Sequence, residues 1–327
     1  MTIQKNTTPH VHAHEHSHNH NHAHDHAHEH SHIQNHEQSH VAHQIHLNQG
    51  KVASPKSKKP LIITLIIVVI LAAGRIWFVQ SQHAKLDAHQ NVEWVRINGG
   101  SYQMGLGVPG MSQQEVSVSD LLVAKSEITV AQYHKCVEAG ACDLKDVGKS
   151  IFGNSDHCNW GKTNRFNYPM NCVTWHQARA FAKWAGGDLP SEAQWEYIAR
   201  SEGKSEFYPW GDQSPNCVYA NLGDKGDGCG KRGAVDVCSY AKGHSKQGVC
   251  DMVGNIWEWV LDDFNETAQG SGNGDSPRCQ VAGCGGDVNK VIRGGSWDID
   301  SMHLSDGVRD GFKAEDRRHT VGFRVVK

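Results

Sequence analysis

The stretch VIRGGSWDIDSMHLSDGVR, Val291 to Arg309, decides how this chain is read. Val291 and Ile292 open it as a strand, and Gly294 and Gly295 turn it. A polar loop follows, of the kind that often carries function. The loop offers Asp298, Asp300, His303, Asp306 and Arg309 as polar side chains, and it contains no cysteine. It is read either as a catalytic loop or as a binding loop on a scaffold.

Working outward, the same glycine- and tryptophan-rich texture runs through the C-terminal part of the chain. Short strand-like runs occur at NVEWVRI, GSYQMG, LLVAKSEIT, VIRGG and GFRVV. TVAQYHKCVEAG predicts a helix capped by Thr129 and ended by Gly140, and TWHQARAFAKWAGG predicts another, capped by Thr174 and ended by Gly186 and Gly187. SEAQWEYIARS predicts a shorter one with Ser191 as cap, no acid three residues on, and an apolar face of Trp195, Ile198 and Ala199. Trp210, Trp257 and Trp259 are expected in the core rather than as ligand stackers, with the WEW alternation giving one buried and one turned-away face.

The five motifs YPMNCVTWHQARAFAKWAGGDLPSEAQWEYIAR, YPWGD, DMVGNIWEWV, VIRGGSW and GFRVV occur in this order between residues 168 and 326. Together they resemble the formylglycine-generating-enzyme, or sulfatase-modifying-factor, family, whose fold is related to C-type lectins. The resemblance covers residues 92–327 and implies an irregular α+β domain. It is specific for fold and much less so for activity, because the family includes copper-cysteine oxidases, iron-dependent sulfoxide-forming enzymes, maturation proteins and non-catalytic binding domains.

In the oxidases, two cysteines after the G-G-S-[WY] turn hold copper(I), an ion suited to soft thiolates. The corresponding positions here are Ile299 and Leu304, which ligate no metal. The neighbouring Met302 and His303 match a linear dithiolate poorly. The iron branch takes histidine ligands from a separate helical domain, which residues 1–60 do not supply. The resemblance therefore implies an outer domain with neither copper nor iron. It also implies two structural calcium ions, held by hard oxygen ligands. One set is Asp251, Glu258 and the carbonyls of Gly254 and Ile256. The other is Asn221, Asp227 and the carbonyls of Leu222 and Cys229.

The chain has 327 residues, with 32 Lys and Arg against 35 Asp and Glu, so charge gives no argument for a nucleic-acid partner. Histidine is the outlier at 24, of which 16 lie between His10 and His46. Residues 1–60 have too few large apolar side chains to offset the entropy of ordering, which predicts a disordered His-rich tail. Its alternating His12, His14, His16, His18, His20, His22, His24, His26, His28 and His30 suit weak, exchangeable binding of Zn, Ni or Cu.

Residues 61–79, from Leu61 through Val79, form an apolar run broken only near its far end by Arg75. Nineteen residues reach about 28 Å, close to a hydrocarbon core. An uncleaved signal-anchor helix is expected rather than a cleaved signal peptide. Lys51, Lys56, Lys58 and Lys59 crowd its N-terminal flank, which puts the tail in the cytoplasm and the C-terminal domain in the periplasm or outside the cell. Residues 80–91 read as a linker and 92–327 as one domain.

All ten cysteines lie from Cys136 onward, with no C-x-x-C pair, so disulfides in an oxidising compartment are expected. Nearest-neighbour pairing gives Cys136–Cys142, Cys158–Cys172, Cys217–Cys229, Cys238–Cys250 and Cys279–Cys284, although spacing alone does not fix connectivity. The function expected is a membrane-anchored binding or scaffold domain with a protein or glycan ligand. The alternative is an enzyme or maturation factor of the same family that works through a different site. A minor option, a loop diversified for ligand binding, would place the variation between Ile299 and Thr320.

Overall fold

The structure, a computed structural model, describes residues 59–88, 91–105, 113–151, 153, 155–204, 206–224, 227–265, 273–279, 284, 288–304 and 307–327. The His-rich stretch and Asp306 lie outside these residues. Helix α1, Lys59–Ala88, carries the apolar segment. Its stretch Ile63–Ser81 is long and apolar enough to cross a membrane, and its large apolar side chains are exposed.

Three further helices follow the expected caps. α2 spans Val130–Glu138, α3 spans Trp175–Trp184 and α4 spans Glu192–Ala199. Thr129, Thr174 and Ser191 each accept from the backbone N–H three residues on. Gln132, Gln177 and Gln194 return the bond to the cap, so all three helices start with a capping box. The missing acid after Ser191 is thus replaced by an amide, which closes the box equally well.

The strands are short. β1, Trp94–Ile97, pairs antiparallel with β4, Leu121–Ala124, while β2, Gly100–Met104, pairs with β3, Gln114–Val118. A four-stranded sheet has the order β7-β6-β5-β8, from Arg309–Lys313, Asn289–Arg293, Trp257–Asp263 and Val321–Phe323. β5 and β8 run parallel, and the other pairs of that sheet are antiparallel. The chain end then returns to β4, where Leu122 and Lys327 exchange backbone hydrogen bonds of 2.7 and 2.8 Å.

Strands β3, β5 and β7 are absent from the sequence reading. β5 departs furthest, since all seven of its residues are buried, Glu258 included. The expectation that one face of WEW turns away fails because β5 is an inner strand with packing on both faces. Trp259 lies in one cluster with Trp175 and Phe181 of α3, whereas Val260 lies in another with Trp195 of α4. Trp210 also departs from expectation: it is half-buried at the surface, stacked between Tyr208 and Tyr219 at ring spacings of 5.4 and 5.1 Å.

Five disulfides tie the loops, in the nearest-neighbour pairing throughout. In chain-entropy terms a closed loop of about 15 residues stabilises by about 3 kcal/mol, which matters in a domain with so few long elements.

Candidate functional site

The loop after β6 is held at its root by charge. Arg293 is fully buried; one guanidinium nitrogen donates to Glu196 at 2.7 Å and another to the Gly307 carbonyl at 3.0 Å. One side chain thereby grips both ends of the segment 294–307. Gly294 and Gly295 then turn the chain with φ of 97° and 76°, a region that strongly favours glycine.

The loop lies on the segment 221–229. The Trp297 carbonyl accepts from Gly228 N–H and the Ile299 carbonyl from Gly223 N–H, each at 2.7 Å. Ser301 N–H donates to the Asp224 carboxylate at 3.0 Å. Asp300 caps a single 3-10 turn, Ser301–His303, by accepting from the N–H groups of Met302 and His303. Its contact with the His303 ring at 2.7 Å, first among the causes, holds the Asp300 carboxyl below its usual range.

Ile299 and Leu304 occupy apolar space. Leu304 is 2% exposed and clusters with Ala220, Leu222 and Val253, with Ile299 and Val308 packed alongside. A Cβ added to Gly295 would lie 2.0 Å from Leu304 Cδ2, so Gly295 is the floor on which Leu304 rests. Ile299 and Leu304, the positions expected to correspond to the oxidases' cysteines, are therefore part of a small hydrophobic plug.

Of the polar loop residues, Asp298 and His303 face solvent, Asp300 is half-buried, and Ser296 hydrogen-bonds the Asp298 carboxylate. Arg309 departs from the sequence expectation of a ligand contact. It sits in β7 and forks the Glu192 carboxylate at 2.6 and 2.9 Å, with its side chain 6% exposed. The pull of the buried Glu192 at the start of α4 takes it out of the loop.

The candidate calcium residues fall into two places. Asp251 and Glu258 are both buried, and a third carboxylate, Glu127, lies beside them. Arg324 forks Glu258, and Trp195 Nε1 donates to the same carboxylate at 2.7 Å. Asp251 accepts from Cys238 N–H at 2.5 Å. Glu127 accepts from Asn255 through Oε1, and its carboxyl hydrogen-bonds the Asp251 carboxyl, a pairing that needs one shared proton. Burial, then Asp251 and Glu258, push the Glu127 carboxyl well up, and burial likewise raises Asp251. Three buried carboxyls gather around one guanidinium; a proton shared by Glu127 and Asp251 offsets part of that charge, and a bound cation would take its place. The donor set fits a hard cation, with Glu127 as an acceptor the sequence reading missed and Glu258 already engaged by Arg324.

In the second place, Asn221 Oδ1 is buried and without a partner among the described residues. Its Nδ2 donates to the Gly233 carbonyl at 3.0 Å, and its backbone carbonyl receives Asn255 N–H at 2.8 Å. The Leu222 carbonyl receives Cys229 N–H, and Asp227 is exposed at the edge of the same turn. An orphaned buried acceptor, Asn221 Oδ1, also suits calcium. This segment is the one that supports the loop.

One further cluster of ligating atoms, Cys238, His244 and Cys250, is the Cys238–Cys250 disulfide with an imidazole beside it. Its sulfurs are bonded to each other and offer no thiolate.

Comparison with known proteins agrees with this architecture. A formylglycine-generating enzyme of Streptomyces coelicolor is 34% identical over 148 residues, 41% of this chain and 44% of that protein. An inactive C-alpha-formylglycine-generating enzyme 2 of Bos taurus is 31% identical over 145 residues, 42% of this chain and 41% of that protein. The matches thus span less than half the length of these relatives. The structure of PvdO from Pseudomonas aeruginosa superposes with a TM-score of 0.57 at 21% identity, over 72% of this chain and 94% of that one, which shows the shared fold. Residues 80–327 match the sulfatase-modifying factor enzyme 1-like domain, and the chain belongs to that family.

Proposed function

We propose that this chain is a membrane-anchored, extracytoplasmic domain of the family that binds a protein or glycan ligand and has no copper-cysteine oxidase activity. The observation that carries this reading is the hydrophobic plug: Ile299 and Leu304 are packed with Ala220, Leu222 and Val253 where a thiolate pair would be needed. Neither side chain donates to a metal, and Leu304 is buried. What the loop offers instead is Asp298, Asp300 and His303 on a rigid root.

Two calcium ions, one at Glu127, Asp251 and the Gly254–Glu258 turn and one at Asn221–Cys229, would neutralise buried charge and hold the segment on which the loop lies. The exposed apolar helix supports anchoring, and the five disulfides mark an oxidising compartment. The His-rich tail then lies on the cytoplasmic side and binds Zn, Ni or Cu weakly.

Metal and mass analysis of the purified chain tests this reading. Two calcium ions, five disulfides and no stoichiometric copper or iron in the outer domain are expected. Stoichiometric copper or iron that survives deletion of residues 1–50 would overturn it.

A further inference from the structure

At the inner end of the loop, three rings from distant parts of the chain meet. His157, Trp297 and His319 form a triangle with ring-centroid spacings of 5.1 Å (His157 to Trp297), 5.5 Å (His157 to His319) and 5.7 Å (Trp297 to His319). The two imidazoles are half-buried, and the indole is 4% exposed. The indole Nε1–H is buried and has no acceptor among the described residues. A buried donor left unpaired costs free energy, so its retention calls for a partner.

The triangle is built rather than incidental. Asn171 is fully buried, and its Nδ2 donates to the backbone carbonyls of both His157 and His319, at 3.0 and 2.6 Å. One amide thus clamps two histidines that are 162 residues apart in numbering (319 − 157), and the adjacent Cys158–Cys172 disulfide locks the same junction. Gly233 leaves room beside the His157 ring, since a Cβ there would come within 3.4 Å of Nδ1.

The surrounding charges select the kind of ligand. Lys162 Nζ reaches the Asp156 carbonyl, which immediately precedes His157, and Arg165 donates to Asn159 at 2.7 Å. Burial first, then His319, Arg165 and Lys162, hold the His157 imidazole below its usual range; the exposed Asp156 carboxylate acts the other way. Among the described residues no carboxylate or thiolate completes a three-ligand metal set with these two imidazoles. Two histidines, an unpaired indole N–H, a lysine and an arginine are donors and cations, and the group they suit is an anion.

We propose that His157, His319 and Trp297 form an oxyanion subsite at the root of the loop, taking a carboxylate, sulfate or phosphate group of the ligand. This rests on the reading of the 298–304 segment as a ligand loop. The indole N–H hydrogen-bonds the anion, the imidazoles bind it in their protonated form, and Lys162 and Arg165 supply the surrounding positive potential. Binding therefore tightens as pH falls, because an anion favours protonated imidazoles and the surroundings of His157 disfavour its charge while no anion is bound.

The test is a titration of the full chain in lipid nanodiscs, labelled with ¹⁵N-tryptophan. The Trp297 indole N–H resonance is identified by its loss in Trp297→Phe. Sodium sulfate, inorganic phosphate and sodium acetate are added separately at constant ionic strength, at pH 6 and at pH 8. A saturable shift is expected at pH 6, at least tenfold weaker at pH 8 and at least tenfold weaker in both His157→Gln and His319→Gln. The acetate and phosphate arms distinguish a carboxylate ligand from a phosphate one. A flat titration with all three anions, or a shift unchanged in both histidine variants, would overturn the subsite. If titration is flat while Asp298→Asn and Asp300→Asn abolish capture of the ligand, the loop reading stands and only the subsite falls.

Discussion

Arg324 gives the sharpest test of the buried charge in this domain. Its guanidinium is fully buried, forks Glu258, and donates to the carbonyls of Ala124 and Cys250 at 3.3 and 3.0 Å. Replacing it with methionine keeps much of the volume and removes a buried guanidinium whose charge acts on Glu127 and Asp251. Three buried carboxylates then face one another, and Glu258 loses both of its Arg324 bonds. Breaking a buried pair by removing one partner costs on the order of 3–5 kcal/mol. For a domain of this size each kcal/mol moves Tm by about 2–4 °C, so Arg324→Met should lower Tm by roughly 10 °C in chelator. The same variant carries more net negative charge at the proposed calcium site, so millimolar calcium should recover more Tm in Arg324→Met than in the wild type. Scanning calorimetry of both proteins in EDTA and in calcium reads the two effects together. A fall below about 2 °C in EDTA would refute the view that this guanidinium offsets the carboxylate cluster, and equal calcium responses would refute cation binding there.

Other expectations are independent of that one. Asp262 is buried, accepts from the N–H groups of Glu192 and Arg278, and has its carboxyl pushed up to about 7 by burial and then by Glu192. A folded value above the unfolded one means stability is present at low pH and is lost as pH rises from about 4 through about 7. The stability gap between wild type and Asp262→Asn, measured by urea denaturation, should therefore narrow between pH 5 and pH 8; a constant gap would count against it. Leu304→Ala should cost about 2–5 kcal/mol in the same assay, because the side chain is buried against Gly295 and Leu222, whereas a solvated loop residue would cost almost nothing. Chelation should speed proteolytic cleavage within 298–304, since that segment hangs on the 221–229 turn through Gly223 and Gly228; unchanged cleavage would separate the loop from the proposed ion.

The helices were legible because their signals are local. A Thr or Ser cap, a 3.6-residue apolar period and a glycine stop mark α2 and α3 in one window of sequence. The disulfide pairing was legible for a similar reason, since each bond closes a short loop. β5 was not legible, because WEWVLDD buries three acids whose partners are distant: Lys290 for Asp263, the Glu192 and Arg278 N–H groups for Asp262, and Arg324 for Glu258. A hint was present in the arginines of VIRGG and GFRVV, which stand inside apolar runs and end fully buried. The candidate loop could be placed from its glycines, but Arg309 could not, because its partner Glu192 lies 117 residues away. His157 and His319 carried no sequence signal, since only the Asn171 clamp brings them together.

The central claim is that the loop binds without copper-cysteine chemistry. The most direct measurement is to load the purified chain with copper(I), supply oxygen, and follow a cysteine-containing peptide by mass spectrometry. The account predicts no copper-dependent conversion of the cysteine to an aldehyde, at any copper ratio. Turnover that depends on copper and persists in the wild-type chain would contradict it, because Ile299 and Leu304 would then not have closed the site.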